Sequence, residues 1–165
     1  MVKNLLLIRH AEALPQAQDE RDFQRVLSER GLNQAALLED YLSLINLSFD
    51  TLFLSPAERT KQTAKIISKN LKSVPKDIIT EEFYEATVNT MIASVNRLET
   101  MHTNVIIVAH NPSIAMLCQY LIGDQYLNFE TAACAHIQFE FEDWSMLIKG
   151  SGELKDFYYP GKLGL

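Results

Sequence analysis

Apolar residues fall along the chain in two rhythms. Short uninterrupted runs predict strands buried on both faces: Leu5-Leu6-Leu7-Ile8 within a strand over Val2 to Ile8, then Thr51 to Leu54, then Val105-Ile106-Ile107-Val108, whose four residues are all β-branched. A further strand is expected over Asp77 to Thr80, followed by a loop over Glu81 to Glu85. Between the strands, apolar positions recur at helical spacing: Leu32, Ala35, Leu38, Leu42 and Ile45; Thr60, Ala64, Ile67 and Leu71; Val88, Met91, Ile92, Val95 and Leu98; Ile114, Leu117, Cys118 and Leu121, closed by Gly123. Ser28 is placed to cap the first helix, Ser55 with Pro56 and Glu58 to start the second, and Asn111 with Pro112 to start the fourth.

After Gly123 the period becomes two. Ala133, Ala135, Ile137, Phe139 and Phe141 alternate with Cys134, His136, Gln138 and Glu140, and Glu153 to Tyr159 can pair with that strand across Lys149-Gly150-Ser151-Gly152. The order of elements predicts an α/β fold: a three-layer α/β/α sandwich, with a mostly parallel central sheet extended by antiparallel strands from the C-terminal part. One unit is expected over 1–165, with no internal repeat or linker. The polar stretch Glu12 to Arg25 is long for a connection in such a unit, and connections of that kind are often functional.

Charge narrows the choice of partner. A net charge of −6 argues against nucleic acid, so any positive site must be a local pocket on an acidic protein. Cys118 and Cys134 show neither a disulfide framework nor metal-ligand spacing and are expected to be buried apolar residues. No apolar run reaches transmembrane length, and Arg9 interrupts the N-terminal run before a signal peptide is built, which suggests a cytoplasmic protein without membrane contact.

Three strand-to-helix junctions then place chemistry at one sheet edge. Arg9 and His10 follow the first strand, Arg59 lies in the first helical turn after the second, and His110 follows Val105–Val108. Parallel strands bring their carboxyl ends together, where open α/β sheets bind ligands. Two Arg, two His and two helix N-termini suit a tetrahedral dianion. Neutral His10 could attack phosphorus through one ring nitrogen if a backbone carbonyl held the proton on the other, with Arg9, Arg59 and His110 neutralising the phosphoryl oxygens. Water would then release phosphate. This scheme needs no metal and no cofactor, and the Gly-rich loop of nucleotide triphosphatases is absent.

These stretches resemble a known family. LIRHAEA from Leu7, DFQRVLSERG from Asp22, LSPAERTKQTA from Leu54 and VAHNP from Val108 look like the histidine phosphatase superfamily, phosphoglycerate-mutase-like branch, and most of all its small SixA-type phosphohistidine phosphatases. The ending is similar too: Phe139-Glu140-Phe141, Trp144, Gly152-Glu153-Leu154, Phe157 and Pro160. The resemblance implies that His10 is the phosphorylated nucleophile and that Arg9, Arg59 and His110 complete its phosphate pocket. Ala11 stands where the commonest form has Gly, and Gln16 where an Asn often contacts phosphate, so Gln16 is a candidate substrate contact. Arg25 resembles a subgroup-typical position that could contact substrate or remain a solvated loop residue. The place of the larger members' general acid is best matched by Glu85, with Glu82 as competitor.

An alkoxide leaving group strongly needs a proton donor, whereas imidazole leaving from phosphohistidine needs less. A phosphohistidine-bearing protein is therefore the expected substrate, reached through a pocket without a lid. A small phosphorylated metabolite or a phosphoserine protein is the alternative. A phosphoprotein-binding module without turnover, and a metal-dependent hydrolase using His10 and His110 as ligands, are the readings from other classes.

Overall fold

The computed structural model describes residues 1–73 and 75–162; position 74 and the last three positions of the unit expected over 1–165 lie outside the described residues. Strands β1 (Val2–Arg9), β2 (Thr51–Leu54), β3 (Lys76–Ile79), β4 (Asn104–Ala109), β5 (Cys134–Glu140) and β6 (Glu153–Tyr158) form one sheet in the order β3-β2-β4-β1-β5-β6. The pairs β3–β2, β2–β4 and β4–β1 are parallel, and β5 and β6 extend the β1 edge antiparallel. This is the expected arrangement, and its register decides where the strand ends fall. Arg9 lies opposite Ala109, and Leu54 opposite Val108, so β1, β2 and β4 end side by side.

Two apolar layers explain why the runs are continuous. Leu5 and Leu7 of β1 and Val105 and Ile107 of β4 pack with helices α3 (Val88–Asn96) and α4 (Ser113–Leu121). Leu6, Ile8, Ile106 and Val108 face the other way, onto α1 (Glu29–Leu44) and α2 (Glu58–Ile67). Successive strand residues point to opposite faces, so a strand sandwiched between helices must be apolar at every position. Cys118 and Cys134 are buried free thiols, as the sequence suggested.

Two helix starts differ from expectation. Ser28 does cap α1, accepting from the Gly31 N–H. However, Ser55 and Asn111 are not caps: α2 begins after Ala57 and α4 after Pro112, and neither helix has a side-chain cap. Both side chains are used by the junction itself, Ser55 by His110 and Asn111 by the Phe129 carbonyl. The β5–β6 connection also holds a one-turn 3-10 helix, Trp144–Met146, ahead of the glycine turn. No helix among the described residues is long and apolar enough to cross a membrane.

Candidate active site

The side-by-side ends of β1, β2 and β4 open into a cavity of about 390 Å³. Arg9, His10, Arg59 and His110 all line it, and the two imidazole centroids are 5.2 Å apart. The four residues expected to converge therefore do. Each arrives by the route the sequence suggested: two at the end of β1, one in the first turn of α2, one directly after β4.

His10 is buried at 8% exposure, and its Nδ1 lies 2.7 Å from the Ala11 carbonyl oxygen. A carbonyl only accepts, so the ring proton sits on Nδ1 and Nε2 carries the lone pair. Burial, helped by the nearby His110, Arg59 and Arg9, pushes the pKa of His10 down to about 3 against the Ala11 bond, so the ring is neutral at pH 7. Ala11 is itself pinned, its N–H donating to Thr63 Oγ1 of α2 at 3.0 Å.

Arg59 joins both imidazoles. Its Nε donates to His10 Nε2 and its NH2 to His110 Nδ1, each at 3.3 Å. Because a guanidinium only donates, His110 must carry its proton on Nε2, which donates to Ser55 Oγ at 2.8 Å. Burial first and the Arg59 charge second lower the pKa of His110 to about 4. Arg9 donates from NH1 to the Phe129 carbonyl at 2.9 Å, while its buried Nε has no protein partner. Phe129 belongs to a segment held against β1 at Ala132, whose N–H reaches the Arg9 and His10 carbonyls from a left-handed backbone with φ of 62°.

The long Glu12–Arg25 stretch forms a wall of the cavity, and it supplies a residue to which sequence reasoning gave no role. Asp22, in a one-turn 3-10 helix, takes the outer edge of the Arg59 guanidinium: its carbonyl accepts from NH1 at 2.9 Å and its Oδ2 from NH2 at 3.0 Å. The Tyr84 hydroxyl also donates to Oδ2, and Arg25 NH1 donates to Oδ1 at 3.0 Å. The Tyr84 bond, then those from Arg25 and Arg59, hold the Asp22 carboxyl well below the usual carboxylate range. Its one sequence signal was its place at the head of DFQRVLSERG, three residues before Arg25.

The remaining candidates separate. Arg25 lines the cavity, tied to Asp22 and to the Leu14 carbonyl. Glu85 lines it too and is exposed, whereas Glu82 is exposed elsewhere. Gln16 is a correction: it lies outside the lining, its amide donating to the Glu20 carbonyl at the exposed tip of the loop. Among the described residues no group of three or more His, Cys, Asp or Glu side chains is disposed to hold a metal ion.

With this geometry in place, the comparison with known proteins is decisive. The model of the histidine phosphatase superfamily (branch 1) matches residues 5–91, more than half of the chain. The chain belongs to the histidine phosphatase superfamily. Within the superfamily it is similar over its whole length to two solved structures. One, from Agrobacterium tumefaciens and described as a candidate phosphohistidine phosphatase SixA, is 25% identical with a TM-score of 0.83, over 96% of this chain and 98% of that one. The other, the protein histidine phosphatase SixA complexed with tungstate, is 22% identical with a TM-score of 0.83, over 97% of this chain and 99% of that one. The serine/threonine-protein phosphatase PGAM5, mitochondrial, of Xenopus tropicalis is 35% identical over 74 residues, 45% of this chain; the match spans about a quarter (26%) of that protein.

Proposed function

We propose that this protein is a phosphatase that works through a phosphohistidine at His10 and that its substrate is a phosphohistidine-bearing protein. The observation that carries the reading is the state of His10. It is neutral, its proton is fixed on Nδ1, and its Nε2 meets the guanidinium that would hold a phosphoryl group. Nε2 attacks phosphorus from the cavity floor, and the leaving group departs in line toward the mouth. Arg59 and Arg9, which both line the cavity, supply N–H donors to the phosphoryl oxygens, and His110, its proton turned to Ser55, holds the Arg59 guanidinium in place through Nδ1. Water then attacks phospho-His10, and the imidazole leaves as it entered. No step requires a metal or cofactor. The whole-length likeness to the tungstate-bound SixA supports the same reading, since tungstate is a tetrahedral oxyanion.

Glu85 at the mouth gives a second reading some weight. An exposed carboxyl lining the cavity can protonate an alkoxide, which would bring metabolite phosphates or phosphoserine within reach. The deciding experiment is a rapid quench with radiolabelled phosphohistidine protein. An acid-labile, alkali-stable label should appear on the wild type and vanish in His10→Ala, with turnover in chelator unchanged. A His10→Ala enzyme that still turned over at the parent rate would sink the proposal.

A further inference from the structure

In-line transfer fixes which residues the departing group meets. The nucleophile lies on the floor, with His10 at 8% exposure, and the Asp22 side chain stands at the mouth with 40% exposure. The two lie on different edges of one guanidinium, His10 on Nε and Asp22 on NH1 and NH2. A phosphoryl group on Arg59 is therefore bracketed by the imidazole beneath and the carboxylate at its outer side. Three of the carboxylate's lone-pair sites are taken, by Arg59, Tyr84 and Arg25, and a fourth remains on Oδ1.

Resting on the reading above, we propose that Asp22 selects phosphohistidine over phosphate esters by accepting a hydrogen bond from the free ring N–H of the substrate imidazole and keeping that ring cationic until the P–N bond breaks. In the step itself, the bond from His10 Nε2 to phosphorus forms as the substrate P–N bond breaks. The electron pair stays on the substrate ring nitrogen. Because the other ring nitrogen already carries a proton, the group departs as neutral imidazole and no proton moves. Without that proton it would have to depart as an imidazolide anion, a far poorer leaving group. Asp22 cannot itself be the proton donor, since its partners keep it ionised. The charges facing it are Arg59 from α2 and Arg25 from its own loop. Tyr84 approaches from the loop after β3, and Arg9, Glu12, Glu85 and His110 line the rest of the cavity. The two mouth carboxylates then divide the chemistry, Glu85 serving P–O substrates and Asp22 serving P–N.

The test is Asp22→Asn, which keeps the side chain's shape and leaves an oxygen for Arg59 NH2. The variant and wild type are assayed from about pH 6 to 9 on phosphohistidine and on p-nitrophenyl phosphate, whose leaving group has no ring proton. At about pH 8, where a free imidazole titrating near 6.5 is mostly neutral, kcat/KM on phosphohistidine should fall about tenfold or more. On p-nitrophenyl phosphate, where Asp22 acts only through its hold on Arg59, the loss should be smaller and constant with pH, whereas the phosphohistidine loss should shrink toward about pH 6. Equal losses on both substrates, or a phosphohistidine loss that does not vary with pH, would mean that Asp22 only positions Arg59, and the inference would fail. A wild type that cleaves p-nitrophenyl phosphate but not phosphohistidine would instead overturn the substrate reading beneath it.

Discussion

An imidazole attacks phosphorus only while it is neutral, and here burial, seconded by the neighbouring cationic groups, keeps both site histidines so. That choice has a measurable consequence for stability. The pKa values of His10 and His110 fall to about 3 and about 4, while the unfolded chain should titrate them near the ordinary ~6.5. Below about pH 6.5 the unfolded state takes up protons that the folded state refuses, so stability is lost as pH falls through that window. Each imidazole can contribute up to about 1.4 kcal/mol per pH unit between about pH 6 and 4.5, before most carboxylates titrate. Urea unfolding at pH 7, 6 and 5 should show that slope, and His10→Gln should flatten it; a slope identical in both proteins would contradict the burial argument. At this scale the sequence was legible where a residue directly follows a strand. Arg9, His10 and His110 stand at or just past a strand end, Arg59 opens the helix that follows β2, and the apolar runs mark where the strands stop. Ser55 was misread because a Ser-Pro-x-Glu tetrad is also a helix start, and nothing local shows that an imidazole 55 residues away claims the hydroxyl.

Among the elements, the helix α1 and the loop after β1 behave as one device. Ser28 N–H and Oγ both reach the Glu12 carbonyl, Gln34 Oε1 accepts from the Glu12 N–H, and Arg30 pairs with the Glu12 carboxylate at 2.8 Å. Gly31 lets the helix come this close. A Cβ there would stand 1.9 Å from the Glu12 carbonyl oxygen, a backbone atom that cannot swing away. Gly31→Ala should therefore cost about 1–3 kcal/mol or more. It should also lower kcat, because moving Glu12 moves the Ala11 carbonyl that fixes the His10 tautomer. Thermal unfolding together with steady-state kinetics checks both; a Gly31→Ala protein with parent Tm and parent kcat would show that the approach is not needed. The Ser-Glu-Arg-Gly stretch could be read as a helix start, but its second task could not. Strands, helices and their order follow from periodicity, which is a local property. The wall built by Asp22, Arg25 and Tyr84 joins residues from separate loops, and no period records that meeting.

For the molecule as a whole, the sheet has two working edges with opposite assignments. The carboxyl edge collects Arg9, Arg59 and Arg25 around one cavity of a protein of net charge −6, which gives that cavity a local attraction for an anion. The amino edge holds a fully buried lysine instead. Lys3, at 0% exposure, donates to the Thr100 carbonyl at 2.6 Å and the His102 carbonyl at 2.9 Å, and its ammonium lies 5.6 Å from the Trp144 ring centre. Trp144 donates to the same His102 carbonyl, so the ammonium ties the β5–β6 connection to the segment leading into β4. Burial pulls the pKa of Lys3 down, which shows the cost of keeping a charge there. Two opposing terms therefore meet at one residue: desolvation of the ammonium against the bonds and ring face it finds. Lys3→Met keeps the aliphatic stem but leaves the Thr100 carbonyl without that donor, so a loss of about 1–3 kcal/mol is expected. Because the cavity lies at the opposite end of β1, kcat at a temperature where both proteins are folded should be unchanged. Denaturant unfolding decides the balance. A Lys3→Met protein as stable as the parent would mean that desolvation cancels the bonds, as it does for many buried ion pairs. A loss of kcat without a loss of stability would mean that the two edges are coupled through the sheet.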